Sequence, residues 1–223
     1  MCSYKKTLLL LSLSILPLFG NSIENEFQDY RFVLNEFNLN DNFSKNPEFK
    51  QFVEENKEFY KKNYSKAIQE RFFIADELQT QLALNDASPI LMYISFTESS
   101  LNSTLVSKSG AGGLWQFMPP TARDLSLTVD SNIDDRKNTK LATKAAVEYL
   151  TTMNKDFDKW YLTAMAYNCG PNKMKKAIAE AGTDDINVLL SENNNYLPDE
   201  TKKYLKKILL YAMIGENHLF VQN

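Results

Sequence analysis

The chain has 223 residues, 43% of them hydrophobic and 24% charged, with a formal net charge of −3. That length and mixture fit one folded domain with an extension, and exclude a disordered chain or one made mostly of membrane spans. An acid excess without a dominant basic tract argues against nucleic acid as a partner. His218 is the only histidine and there is no Cys/His cluster, so neither a metal nor a cofactor is expected.

Residues 1–22 stand apart. Lys5 and Lys6 precede an apolar run from Leu8 to Phe19, and the small residues Gly20 and Ser22 come after it. This is the pattern of a secretory signal peptide. The run is too short for a confident membrane span, which makes an uncleaved anchor the weaker reading. Cleavage removes Cys2 and both lysines, shifts the formal charge from −3 to −5, and leaves Cys169 as a lone cysteine. With no partner thiol it reads as a small buried residue.

Residues 23–85 read as a helical extension. Phe27, Tyr30, Val33 and Phe37, then Phe49, Phe52, Val53, Tyr60 and Tyr64, recur at spacings of three and four. Asn46-Pro47 marks the start of a second helix. A third is predicted over about 65–84, through Ala67, Ile68, Phe72, Ala75, Leu78 and Leu82. The extension is expected to pack on the C-terminal part of the chain. A partner-binding helical arm is the lesser reading.

Chemistry concentrates between Ser88 and Ala122. Ser88-Pro89 is a helix start, and Ile90, Leu91, Tyr93, Ile94 and Phe96 make a helix apolar on several sides, hence buried. Asn102 and Ser103 are poor helix interior, so the helix is predicted to stop within a turn of Glu98. A free glutamate titrates near ~4.3, and keeping one protonated at neutral pH takes about 2.7 kcal/mol. A helix C-terminus supplies about 0.3–1 kcal/mol, so desolvation has to be the main cause. Gly110, Gly112 and Gly113 are three of the seven glycines and allow a tight turn with close backbone approach. Trp115, Gln116, Phe117 and Met118 combine apolar surface with an amide, the mixture a sugar needs; the same residues also suit a core. Pro119-Pro120 opens a helix predicted to reach about Leu127.

Asp130, Asp134 and Asp135 lie in a polar loop with Arg136, where helix capping is expected ahead of pairing. Helices are predicted through Leu141–Leu150 and from Trp160 to Tyr167-Asn168-Cys169-Gly170, whose glycine-proline break places Tyr167 and Asn168 at a helix end. The last helix is predicted over about Pro198 to Gly215, with a frayed tail beyond it. The lysine runs at 173–176 and 202–207 read as solvated helix faces.

Glu98-Ser-Ser-Leu-Asn102, then Ser107-Lys-Ser-Gly-Ala-Gly-Gly-Leu-Trp-Gln-Phe-Met-Pro-Pro-Thr-Ala122, resembles the signature of the bacterial lytic transglycosylases with a goose-type-lysozyme-like fold. Ala166-Tyr-Asn-Cys-Gly170 resembles their Ala-Tyr-Asn-Ala-Gly, with Cys169 for alanine. Leu197-Pro-Asp-Glu-Thr201 with Tyr204 resembles a third block in the expected order. The resemblance is nearest to the soluble and membrane-bound D types. It implies an all-α, lysozyme-like catalytic domain over 86–216, an N-terminal helical extension before it and a tail at 217–223.

The resemblance further implies cleavage of the β-1,4 bond between N-acetylmuramic acid and N-acetylglucosamine in periplasmic peptidoglycan glycan strands. Glu98 would be the single general acid and base, and the product a 1,6-anhydro sugar. Ser107, Gln116, Met118, Tyr167, Asn168 and Tyr204 would contact sugar, and any partner of the N-terminal helices would be a cell-wall protein. Two other readings stand beside it: a lysozyme-like hydrolase on the same fold, and a catalytically silent glycan-binding or scaffold protein. Around Glu98 the sequence predicts apolar surroundings, Ser107 and Tyr167 close by, and no carboxylate in hydrogen-bonding reach.

Overall fold

The structure is a computed structural model that describes residues 22–219. The segment read from the sequence as a signal peptide lies, apart from Ser22, outside the described residues. Eleven α-helices occur among the described residues, with short 3-10 turns and isolated bridges but no strand.

The first helices are α1 (Ile23–Glu26), α2 (Tyr30–Glu36) and α3 (Pro47–Glu70). Asn46 caps α3, its side-chain oxygen accepting from the Phe49 N–H at 2.9 Å, and Pro47 fills the first turn. Phe49, Val53, Tyr60, Tyr64 and Ala67 are buried along one face. The predicted boundary near Ser65 is wrong: α3 continues to Glu70, and α4 (Phe72–Leu84) starts after a break at Arg71. Ala67, Arg71, Ala75, Leu78 and Leu82 share one helical face, so nothing interrupts the apolar rhythm except the arginine itself. Bending there frees Arg71 from the core, and it pairs with Glu70 at 3.1 Å.

A 3-10 turn at Pro89–Leu91 leads into α5 (Met92–Ser99), then the glycine segment and α6 (Pro119–Asp124), which ends short of the predicted Leu127. Then come α7 (Thr139–Phe157), α8 (Trp160–Cys169), α9 (Pro171–Ala181), α10 (Ile186–Leu190) and α11 (Asp199–Leu219). Asn138 caps α7 through the Leu141 N–H at 3.1 Å.

The acidic loop departs from expectation at Asp134. It pairs with the buried Arg136 through two contacts of 2.8 and 2.9 Å rather than capping a helix. The remaining guanidinium nitrogen of Arg136 donates to the carbonyls of Gly110 and Phe117, which pins the glycine segment to this loop.

Helix α11 is the hub, packing against α2, α3, α5 and α8, and Leu205, Ile208, Leu209, Leu210, Ala212, Met213 and Ile214 are fully buried along it. It does not fray at Gly215 as predicted. Gly215 is where α11 and α5 approach closely: a Cβ there would lie 2.2 Å from the Tyr93 hydroxyl. That hydroxyl donates to the buried Glu216 at 2.8 Å, one residue beyond the predicted end. The lysine run on α11 is only partly solvated, since Lys202 and Lys206 are buried.

The extension shares this core. Tyr60 meets Tyr211 with ring centroids 4.7 Å apart, Tyr64 meets Phe96 at 5.0 Å, and Asn63 donates to the Tyr211 hydroxyl at 2.6 Å. Apolar packing is therefore continuous from Ile23 to Ile214. No helix among the described residues is long and apolar enough to cross a membrane.

Gly215→Ala tests the α5–α11 contact. Glycine to alanine stabilises an open helix by roughly 1 kcal/mol. Here the added methyl overpacks a fixed ring, and a loss of about 1–3 kcal/mol is expected in urea denaturation.

Candidate active site

Glu98 occupies the last turn of α5, whose Met92, Tyr93, Ile94, Ser95, Phe96 and Ser99 are all buried. The helix stops as the sequence predicts. Ser100 and Leu101 take left-handed φ values of 50° and 63°, uncommon for residues with side chains, and the buried Leu101 anchors the reversal. The turn leaves Glu98 at the edge of the core, partly open on one side.

The glycine segment folds back beside it. Ser107 and Ala111 exchange bonds: the Ser107 N–H donates to the Ala111 carbonyl at 2.8 Å, and the Ala111 N–H to the Ser107 hydroxyl at 3.0 Å. Gly113 sits at a φ of 77°, and a Cβ there would come within 1.7 Å of the Arg136 carbonyl oxygen. Only glycine fits. Gln116, at a φ of 49°, donates its amide to the carbonyls of Gly113 (2.7 Å) and Leu105 (3.3 Å). Its side-chain oxygen is thereby left as an acceptor.

Of the four residues considered for sugar stacking, Trp115 and Phe117 are core. Trp115 is fully buried, its indole N–H donating to Thr143 at 3.2 Å, and Phe117 packs edge-on with Tyr149. Met118, 41% exposed, and the half-buried Gln116 remain able to meet a ligand.

Two tyrosines complete the surroundings of Glu98. Tyr204, on the second turn of α11, donates its hydroxyl to Glu98 Oε1 at 2.6 Å. Tyr167, at the end of α8, donates to the Trp115 carbonyl at 2.6 Å, and burial together with the charge of Glu98 pushes its phenol well above the usual range. Asn168 accepts from Thr201 at 2.8 Å, joining the end of α8 to the start of α11. Ser107 bonds Ser109 and Ala111 within its own turn, with no hydrogen bond to Glu98 among the described residues.

Desolvation dominates the electrostatics. It pushes the Glu98 carboxyl up to about 7; the Tyr204 hydrogen bond opposes it, the charge of Glu200 adds to the rise, and Lys207 counters it. No carboxylate hydrogen-bonds Glu98 among the described residues. Sequence reading placed Tyr204 among sugar contacts and did not single out Glu200 or Lys207. A helical signal was present, because Glu200 and Lys207 lie four and three residues from Tyr204 and so share its face. Cys169 is half-buried rather than core, and burial raises its thiol.

The same segment is shared with known proteins. The Transglycosylase SLT domain profile matches residues 78–190, about half of the chain and all of the segment carrying Glu98 and the glycine turn. The chain belongs to the transglycosylase SLT family. It is 33% identical over 132 residues to membrane-bound lytic murein transglycosylase D of Escherichia coli K12, covering 57% of this chain and 28% of that relative. It is 36% identical over 111 residues to peptidoglycan transglycosylase gp16 of phage T7, covering 48% of this chain and 8% of that one. The chain thus spans under a third of the length of these curated relatives.

Among solved structures, the 70-kDa soluble lytic transglycosylase Slt70 of Escherichia coli matches with a TM-score of 0.51 at 21% identity, over 66% of this chain and 24% of that one. Its complex with bulgecin A matches with a TM-score of 0.53. These likenesses establish the all-α, lysozyme-like fold for this SLT-family chain.

A carboxyl that titrates near 7 when folded and near 4.5 when unfolded binds its proton more tightly in the folded state. Its stabilising contribution is complete below 4.5 and is lost as pH rises through 7. Glu98→Gln, which cannot ionise, is therefore expected to exceed wild type in stability by of order 2 kcal/mol at pH 8. That difference should close by pH 4 in parallel urea titrations.

Proposed function

We propose that this SLT-family chain is a peptidoglycan lytic transglycosylase that cleaves the N-acetylmuramic acid–N-acetylglucosamine β-1,4 bond, with Glu98 as the only general acid and base. The observation that carries the reading is a carboxyl raised to about 7 by burial, bonded through one oxygen by Tyr204. Both curated relatives carry the name transglycosylase, with murein or peptidoglycan as the named material.

The Tyr204 bond selects the reactive oxygen. Oε1 accepts from the phenol, so in the neutral acid the proton resides on Oε2. Oε2 delivers it to the glycosidic oxygen as the bond to the muramoyl anomeric carbon breaks. Positive charge develops on that carbon and is taken up by the oxygen of the substrate's own acetamide, so no second protein carboxylate is required. The Glu98 carboxylate then removes the proton of the muramoyl 6-hydroxyl. The 6-oxygen attacks the anomeric carbon, displaces the acetamide oxygen and closes the 1,6-anhydro ring, with no water consumed. A group titrating near 7 serves both steps, because neither protonation state is costly at neutral pH.

Gln116, through its free oxygen, Asn168, through its amide, and Met118 and Tyr167 are assigned to the sugars. Ser107, whose hydroxyl accepts from Ala111 and pairs with Ser109, can donate to a sugar when Ser109 supplies the proton of that pair. The substrate is extracytoplasmic, so the reading places the enzyme in the periplasm, reached by the leader at 1–22.

Sacculi digested by the wild type are expected to release muropeptides ending in anhydro-muramic acid by mass spectrometry. Reducing muramic acid alone would mean hydrolysis. Glu98→Gln should lower release by roughly 10²–10⁴-fold; unchanged release would leave the silent glycan-binding reading. The wild-type rate should fall as pH rises through about 7, where the acid ionises. Tyr204→Phe removes the bond that favours the carboxylate and should move this limb to higher pH.

A further inference from the structure

Asn168 lies in the last turn of α8 beside Tyr167, and its side chain is an amide with two ends of nearly equal size and opposite chemistry. The oxygen end accepts and the nitrogen end donates, so the end that faces a ligand decides which ligand atoms it holds. Asn168 is half-buried. Its oxygen accepts from the Thr201 hydroxyl at 2.8 Å, and its nitrogen has no hydrogen bond among the described residues.

Thr201 stands in the first turn of α11, is 1% exposed, and donates its N–H to the Pro198 carbonyl at 2.9 Å. At that burial the hydroxyl is closed to solvent, so its proton needs a protein acceptor, and Asn168 Oδ1 is the one it meets. The Cys169 thiol also lies beside this hydroxyl, but sulfur is a weak acceptor and burial raises the thiol. With the amide turned round, its nitrogen would donate to Thr201 and the hydroxyl proton would be left to that sulfur. A buried donor without a good partner is costly, so the bond runs one way. The two side-chain amides of the site are thereby locked with opposite polarity. Gln116 gives its nitrogen to the Gly113 and Leu105 carbonyls and keeps its oxygen free, whereas Asn168 gives its oxygen to Thr201 and keeps its nitrogen free.

Helix α11 ties this bond to the reaction site. Thr201 and Tyr204 are three residues apart and share one face of the helix. The first bonds Asn168 and the second bonds Glu98, so Asn168 and Glu98 meet α11 on the same side, about one helical turn apart. We propose that Thr201 is a positioning residue for the substrate: it holds Asn168 with the amide nitrogen toward the cleft, where it donates to an acceptor oxygen of the sugar. Thr201 itself touches no sugar. This deepens the transglycosylase reading and rests on it. The division of labour along α11 is then plain: Tyr204 acts on the proton donor, and Thr201 acts on binding.

Binding is measured by calorimetry in the Glu98→Gln background, where turnover is suppressed, with tri-N-acetylchitotriose as the probe. Added Thr201→Val is expected to weaken binding by up to about tenfold, the scale of one neutral hydrogen bond, and Thr201→Ser to restore it. Asn168→Ala should bind equally with and without Thr201→Val, because the threonine acts only through the amide. Asn168→Asp keeps an acceptor for Thr201 and deletes the donor, so it should bind no better than Asn168→Ala. That variant leaves Thr201 in place and decides the matter even where the valine variant does not fold. With Glu98 intact, Thr201→Val should raise KM by up to about tenfold on glycan strands, with kcat and the pH midpoint close to wild type. Undiminished affinity in Thr201→Val or in Asn168→Asp overturns the assignment. A loss confined to kcat with a shifted pH limb also overturns it, since Thr201 would then act through Tyr204. The two readings fail separately. A chain that shows this binding pattern but releases no anhydro-muramic product refutes the transglycosylase reading, and one that cleaves glycan with unchanged KM in Thr201→Val refutes the positioning role.

Discussion

A carboxylate taken out of water either finds a counter-charge or holds its proton more tightly, and Glu98 takes the second course. Helix α5 is buried along nearly its whole length and α11 lies across its end, so the final turn of α5 carries Glu98 into a site that water reaches from one side. Among the described residues, the one direct polar partner there is a neutral phenol. Had an arginine or lysine stood in the place of Tyr204, the carboxyl would have been driven toward its ionised form and could not have served as an acid at neutral pH. A phenol opposes the rise from burial without cancelling it, and in the proposed mechanism its bond to Oε1 leaves Oε2 to face the substrate.

The rest of the molecule holds that pair in place. Tyr204 is rigid because α11 is packed by α2, α3, α5 and α8, and the close approach at Gly215 lets α5 and α11 lie against each other. The glycine segment is held from behind. Arg136, anchored by Asp134, grips the carbonyls of Gly110 and Phe117, while Tyr167 grips that of Trp115. Buried arginine bonded to backbone carbonyls is a costly arrangement to break, which suits a turn that must keep its shape around a ligand. The aromatic residues of this segment therefore shape the site from inside the core, and the polar and flexible ones, Gln116 and Met118, are left to face outward.

Much of this was legible in the sequence. Ser88-Pro89 and Asn46-Pro47 marked helix starts and Gly170-Pro171 a helix end that the structure contains, and the short apolar run ending at Glu98 announced a buried helix with an acid at its edge. What escaped was decided by contacts between distant segments. The break at Arg71 comes from one charged residue on an otherwise unbroken apolar face. Gly215 reads locally as a helix terminator, yet its lack of a side chain serves the tyrosine of another helix. Lys202 and Lys206 read as solvated because a run of lysines usually is, and only the loop at 191–194 and helix α3, folding over them, make them buried. Tyr204 as the partner of Glu98 could not be read from spacing, since 106 positions separate the two.

Protonation of Glu98 is the point on which the mechanism turns, and it can be observed without substrate. Carbon-13 NMR of the protein labelled at glutamate side-chain carboxyls, with Glu98→Gln to assign the resonance, tracks its ionisation directly. A midpoint near 7 is the predicted result. A midpoint in the ordinary glutamate range would show a carboxylate already ionised at neutral pH, and would contradict its role as the proton donor.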